Sequence, residues 1–378
     1  IILGFAAIPG SIFPQRTQEP LKVEQYFSKH KSLAPFLDKI YIFNVYSSPW
    51  FSAIYILLFI SLIGCVLPRT IKHVRSILNR KAPTKGYLYE TGNLAFHLSL
   101  IFILIGIALG SLYGMKGQAI INVGDRFVNT ATSYDTLGFG KFSSEKSLAP
   151  FALTVTDFHA KYDPKTNAPE DYKLDVDISY PIESKAVHKV IKVNSPLTYG
   201  STKIYLQANG YSPMVSIKDK TGKTEFEGAV PFLPQDGNLT SSGAIKLPDA
   251  NPQIGIIGTF TPTYSMTNSK GAVSAFPESL DPRLVFSVWS GNLGLDSGIP
   301  QSVYRVDTSK MTRIGLKSLK VGETYNFNEG SITFVGWKPW VNIEVGRDPG
   351  KLIALFGALF AVMGLLASLF IGHRKEEV

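Results

Sequence analysis

Three stretches of the chain carry no charge and are long enough to cross a bilayer. They run from Trp50 to Leu67 (18 residues), from Thr91 to Met115, and from Leu352 to Gly372 (21 residues). A hydrocarbon core needs about 20 apolar residues of helix, so each is expected to be a transmembrane span. A fourth apolar stretch, Ile1 to Phe13, is too short and has no basic flank. It reads as the truncated end of a first span, because Pro9, Gly10 and Pro14 suit a helix leaving the membrane. A cleaved signal peptide is the alternative.

Between residues 116 and 350 the period changes from helical to alternating. Phe151-Ala-Leu-Thr-Val-Thr, Lys173-Leu-Asp-Val-Asp-Ile and Met214-Val-Ser-Ile-Lys each place apolar groups at every second position. Arg283-Leu-Val-Phe-Ser-Val-Trp, Ser302-Val-Tyr-Arg-Val and Ser331-Ile-Thr-Phe-Val-Gly-Trp follow the same rule. Lys220-Thr-Gly-Lys223 is a hairpin turn, and Asp163-Pro and Asp348-Pro-Gly punctuate other strands. An all-β sandwich or barrel-like domain is predicted.

Charge orients these elements. The net charge is +9, yet residues 116–350 hold 24 Lys/Arg against 23 Asp/Glu, which leaves no basic stripe for nucleic acid. Arg69, Lys72, Arg75, Arg80, Lys81 and Lys85 fall between residues 68 and 89 with no acid among them. That is the positive-inside signal. The expected organisation is therefore a membrane protein with about four transmembrane helices, the first truncated, plus a large extracytoplasmic all-β domain. Residues 1–15 end the first helix, 16–49 are extracytoplasmic, 50–67 span, and 68–90 form a cytoplasmic basic loop. Residues 91–115 span again, 116–350 make the β-rich domain, 351–372 return, and 373–378 are a cytoplasmic tail.

Few residues carry candidate chemistry. Cys65 is the one cysteine, so no thiol pair exists for disulfide exchange. It reads as a small buried hydrophobe, and alternatively as a thiolate near a metal or haem. His97 sits about one turn inside the third span, where an ionisable group faces a partner, a cavity or a ligand. It also reads as a neutral imidazole bonded to a neighbouring helix carbonyl. Gly106, Gly110 and Gly114 form a small-residue stripe suited to close helix packing. His97 lies nine residues before Gly106, half a turn away, and is expected to face something other than the chain's own helices. His73 reads as solvated. His30, His159 and His188 are scattered without metal-ligand spacing, and Trp337 and Trp340 suit interfacial anchoring or core packing. Neither a catalytic triad, a phosphate loop nor a HExxH helix is present in the sequence.

A series of short segments runs along the chain: Pro9-Gly-Ser-Ile-Phe-Pro-Gln15, Ser48-Pro-Trp-Phe51, Gly64-Cys-Val-Leu-Pro-Arg69 and Glu90-Thr-Gly-Asn-Leu-Ala-Phe-His97. Val193-Asn-Ser-Pro-Leu197, Gly210-Tyr-Ser-Pro213, Gly294-Leu-Asp296, Pro300-Gln-Ser-Val-Tyr304 and Asp348-Pro-Gly350 continue it in order. In these segments and their order the chain resembles the ResB (CcsB) family of cytochrome c biogenesis. The resemblance implies a multi-pass protein of the bacterial plasma membrane that works with a ResC/CcsA subunit. Together they would move haem outward and present it to apocytochrome c. It implies a transmembrane haem ligand at His97, with Cys65 a weaker candidate, and a non-catalytic role for this subunit. It places no haem ligand in the outer domain, since Asn209 precedes Gly-Tyr-Ser-Pro where relatives often carry histidine. Two other classes stay open: a membrane-anchored adaptor whose β-domain recognises a secreted partner without haem, and a transporter subunit for another amphipathic solute.

Overall fold

The computed structural model describes residues 2–16, 20–79, 87–268, 271–295 and 305–373. Arg80, Lys81, Lys85, the segment Asp296–Tyr304 and the tail beyond His373 lie outside the described residues. The chain divides into two units, residues 1–111 with 349–378, and residues 112–348.

The first unit is helical. It holds α1 (Ile2–Ile12), α2 (Pro20–Lys29), α3 (Leu33–Lys39), α4 (Pro49–Leu78), α5 (Tyr87–Tyr113) and α6 (Lys351–His373). Among the described residues α4, α5 and α6 are long and apolar enough to cross a bilayer, while α1 is apolar but only 11 residues long. A small core of Val23, Ala34 and Phe43 ties α2 and α3 together, with Phe13 and Tyr26 packed against it. Gln15 anchors this segment: its amide donates to the Phe13 and Ile42 carbonyls at 3.0 Å, and its oxygen accepts from the Val45 amide.

Two expectations need correction here. The second span was expected to end at Leu67 before a basic loop, but α4 continues through Pro68 to Leu78. Pro68 removes one hydrogen bond and crowds the Gly64 carbonyl four residues back, but the residues on either side, rich in Ile, Leu, Lys and Arg, carry the helix through. Ser48 caps the start, its hydroxyl accepting from the Phe51 amide at 3.2 Å. The packing stripe holds at Gly106 and Gly110 but continues toward the N-terminus of α5 instead of through Gly114. α5 meets α6 through Gly92, Ser99 and Gly106, seven residues apart, against Gly364, Gly357 and Gly350 at the same spacing. A Cβ on Gly92 would lie 2.7 Å from Ser368 N, one on Gly106 2.6 Å from Ala354 N, and one on Gly357 3.1 Å from Ser99 O. Gly110 borders the contact at Gly350, whereas Gly114 lies past the end of α5. A seven-residue repeat keeps one face on the neighbouring helix; a four-residue repeat drifts round the axis.

The second unit is β. In chain order its strands are β1 (Met115–Asn122), β2 (Arg126–Val128), β3 (Thr136–Phe139), β4 (Ala152–Tyr162), β5 (Pro169–Ser179), β6 (Val187–Lys192), β7 (Leu197–Tyr199), β8 (Thr202–Asp219) and β9 (Thr224–Ala229). Then follow β10 (Leu233–Pro234), β11 (Ser241–Leu247), β12 (Ile254–Thr261), β13 (Tyr264–Thr267), β14 (Gly271–Ser274), β15 (Arg283–Gly291), β16 (Met311–Lys320), β17 (Thr324–Phe327) and β18 (Gly330–Arg347). The alternating segments foreseen in the sequence fall inside β4, β5, β8, β15 and β18. Arg305 and Val306, the described part of the expected strand from Ser302, are not extended into a sheet.

β8 and β18, 18 residues each, pair antiparallel from Thr202–Arg347 to Asp219–Gly330 and form the spine. Its two halves belong to different cores. Ile204, Val341, Ile343 and Val345 pack with Leu153, Val155, Leu174 and Val176 of the β2-β4-β5-β6 sheet. Val215, Ile217, Ile332 and Phe334 pack with Ile256, Phe260, Leu284 and Phe286 of the β10-β11-β12-β15-β16 sheet. Bulges at Phe334/Gly336 and Asn342/Ile343 interrupt the register on either side of the changeover; such irregularities bend a ribbon. Each fully buried Phe or Ile contributes about 1.5–3 kcal/mol.

Candidate functional site

His97 lies on α5, half-buried, about 15 Å along the axis from Tyr87. Its Nδ1 is 2.8 Å from the Asn93 carbonyl oxygen one turn back. A carbonyl only accepts, so Nδ1 donates the hydrogen, and in the neutral ring Nε2 keeps its lone pair. Nε2 has no hydrogen-bond partner among the described residues. The Phe96 ring stands edge-on to the imidazole at 5.2 Å. His97 is two residues from Ser99, which faces α6, so it points about 160° away from that contact. His97 thus stands about half a turn from the α6 contact, which includes Gly106.

A polar group sits two turns before His97. Glu90 lies seven residues earlier, on nearly the same face and about 10 Å away along the axis. Its carboxylate is 3.7 Å from Arg69 Nη2 and 3.9 Å from His73 Nδ1. His73 Nε2 is 2.9 Å from the Thr91 hydroxyl. The His73 side chain is 9% exposed, which overturns the expectation of a solvated residue. Because α4 continues past Pro68, His73 is carried alongside the start of α5. Sequence inspection missed this group, since a basic run looks like loop until its helix is seen.

Cys65 is an exposed free thiol. It precedes Val66, the buried residue of α4, and successive helical residues diverge by about 100°. Its flank is thus not the packed one, and no hydrogen bond joins it to His97 among the described residues.

The β unit gathers residues that the sequence keeps apart. His188 Nε2 is 3.2 Å from Asp175 Oδ1, and its Nδ1 is 3.1 Å from Asp177. His159 Nε2 is 3.1 Å from Asp157 and 3.8 Å from Asp175 Oδ2. Far from being scattered, both histidines flank one carboxylate, because β4, β5 and β6 are neighbours. Lys173 Nζ, 2.9 Å from Asp175 Oδ2, opposes the same charge. That bond and contact hold the Asp175 carboxyl below its ordinary 3.8. Among the described residues no group of three His, Cys, Asp or Glu is arranged to hold a metal ion. Trp340 is a core residue, 2% exposed, donating to the Phe232 and Tyr211 carbonyls at 3.0 and 3.1 Å. Gly210 is required beneath it, since a Cβ there would overlap the indole. Asn209 Nδ2 lies 3.5 Å from the Tyr162 hydroxyl.

Fold and site together define a class: a protein with three bilayer-length helices, a two-core β unit, and an unpartnered imidazole nitrogen on an apolar helix. The ResB-like family matches residues 1–84 and 82–376, and the chain belongs to that family. It is 22% identical to the cytochrome c biogenesis protein CcsB of Gloeobacter violaceus, over 94% of this chain and 87% of that protein. It is 24% identical to cytochrome c biogenesis protein Ccs1 of Trieres chinensis, over 75% of this chain and 55% of that one. A CcsB of a Synechococcus strain is 26% identical over 57% of this chain and 48% of its own length. The chain thus spans about half the length of the latter two.

Proposed function

We propose that this chain is a non-catalytic subunit of a haem-export and delivery complex for c-type cytochrome maturation, with His97 as its haem-iron ligand. The observation that carries this reading is the Nδ1 bond to the Asn93 carbonyl. It fixes the tautomer in which Nε2 is an electron-pair donor, as the other ring nitrogen of a metal-ligating histidine ordinarily is fixed. The relatives' names supply the process, cytochrome c biogenesis. Haem is the cargo, and an imidazole is one of its ordinary axial ligands. The chain's own residues orient it: Arg69 stands beside Glu90, two turns before His97 on α5, a placement that suits propionates reaching away from the iron. Arg69 already faces Glu90 at 3.7 Å, so a propionate would exchange with that carboxylate. A ResC/CcsA-type partner would supply the opposing histidine and hand haem to apocytochrome c.

The test is His97→Ala in the complex purified with its partner subunit. Haem content should fall and cytochrome c assembly should be lost or weakened at unchanged protein level, with partial recovery on adding imidazole. Removing a polar side chain from a span does not hinder insertion. Normal haem content with an unchanged absorption spectrum would leave His97 a packing residue.

The basic run from Arg69 supports a cytoplasmic placement of residues 68–90 and an extracytoplasmic β unit. In a Cys65→Ala background, a membrane-impermeant thiol reagent applied outside should label Thr166→Cys and not Ser76→Cys. The reverse pattern would invert the proposed direction of haem movement. The background itself should mature cytochrome c normally, and failure at normal protein level would make Cys65 functional.

A further inference from the structure

Where the β8–β18 spine passes from one core to the other, it leaves a cleft of about 290 Å³. Phe158, Tyr162, Tyr211 and Trp337 line it, with Glu278 and Ser279 from the loop before β15. Tyr211 and Trp337 meet perpendicularly with ring centres 5.1 Å apart. The Tyr211 hydroxyl donates to the Pro277 carbonyl at 2.9 Å, which ties the loop to the spine. Burial, with the Glu278 charge adding to it, pushes the Tyr211 phenol well above its ordinary 10.0; burial does the same for Tyr162. Both rings therefore stay neutral and keep the electron-rich faces that attract cations.

The charge at this cleft is one-sided. Glu278 is its acid, and neither Lys nor Arg lines it. The Glu278 carboxylate makes no hydrogen bond or ion pair among the described residues. The Ser279 hydroxyl is buried without a hydrogen-bond partner in the protein. At 290 Å³ the space lies at the lower limit for small-molecule sites, the scale of one long side chain and too small to enclose a porphyrin. Nearby, the unit already makes the contact such a site would use: the Arg283 guanidinium lies 4.2 Å over the Tyr264 ring and 3.3 Å from Asp281.

We propose that this cleft binds a lysine or arginine side chain of an extended peptide partner, held between aromatic faces and neutralised by Glu278. The cation slides over the rings of Tyr211 and Trp337, its donors satisfy the carboxylate, and the peptide backbone lies along the exposed rim at Leu280. This recognition is independent of His97 and of haem. It gives the β unit a peptide-binding role whichever way the intramembrane site behaves.

The full chain in nanodiscs tests it with fluorescein-labelled twelve-residue Gly/Ser peptides that differ at one central position: arginine, lysine, citrulline or norleucine. Fluorescence anisotropy should rank arginine and lysine about tenfold tighter than citrulline and norleucine, the worth of a hydrogen bond to a charged group. Glu278→Gln should erase that ranking while circular dichroism and thermal unfolding stay unchanged. Trp337→Leu should weaken the cationic peptides and leave the residual binding of norleucine in place. Equal binding of arginine and citrulline peptides, tighter binding of norleucine, or no binding of any of them overturns the proposal. So does displacement of the arginine peptide by stoichiometric haem, which would make the cleft a porphyrin site. The haem competition is run separately, so the outcome of the haem-free peptide titrations is independent of the fate of His97.

Discussion

In the β unit Phe151, Phe232, Phe260, Phe286 and Phe334 are at most 1% exposed, whereas in the helical unit Phe356, Phe360 and Phe370 stand 56–73% exposed. The residue type is the same and its surroundings are opposite. Water drives the first set inward. For the second set a bilayer is as good a solvent as a protein core, so burial offers no comparable gain and helices associate through close backbone approach. Hence the helical unit invests in glycine, at Gly92, Gly106, Gly350, Gly357 and Gly364, and the β unit invests in large side chains. Polar groups follow the same division. In the β unit they are numerous and mutually paired, as around Asp175. Along α5 they are few, and among the described residues the His97 Nε2 has no partner.

The sharpest way to break this comparison is one substitution made in both units. Phe334→Ala should cost about 3–5 kcal/mol in thermal unfolding of the detergent-solubilised chain. Phe360→Ala should cost no more than about 0.5 kcal/mol. A large loss at Phe360 would mean that protein covers that face of α6.

A smaller effect is expected from the glycines. Gly106→Ala places a methyl group against the α6 backbone and should cost about 1–3 kcal/mol. Gly64→Ala, with nothing within 4 Å of the added carbon, should be neutral or slightly stabilising, since alanine is the better helix former. Equal effects at the two positions would remove the case for the seven-residue contact.

The smallest effect is electrostatic. The Asp175 carboxyl is held below its ordinary 3.8, first by Lys173 and then by His188. A lowered folded value means its contribution is fully present above 3.8 and is lost as pH falls through the folded value. Asp175→Asn should therefore lower the melting temperature near neutral pH and flatten the acid side of the profile, the two proteins converging below the folded value. An unchanged acid slope would mean that the cluster contributes nothing net.

Much of the architecture is legible in particular residues. The uncharged runs around Ile56, Ile103 and Leu359 announce helices because hydropathy over 20 residues is a local sum. Alternation in Phe151–Thr156 and Arg283–Trp289 announces strands because the period of two is local as well. His97 stands out for the same reason, as an imidazole in an apolar run. The end of α4 was misread because a proline and a cluster of charges usually stop a helix, and nothing local reveals that this one continues. His73 was lost with it. The glycine contact is legible at Gly106 and Gly110, whereas its seven-residue continuation through Ser99 and Gly92 acquires meaning only against the matching Gly350, Gly357 and Gly364.

By itself the sequence determined the apolar helices, the β character of residues 116–350, the charge asymmetry and the position of the candidate ligand. These are quantities of composition and period, summed over neighbours in the chain. Tertiary structure alone decided that Thr202 pairs with Arg347, that this spine serves two cores, and that an aromatic cleft opens at their junction beside Glu278. It also decided that His159 and His188 share Asp175. Such pairings depend on which distant strands win one another as partners, a competition among whole surfaces that no local window of residues contains.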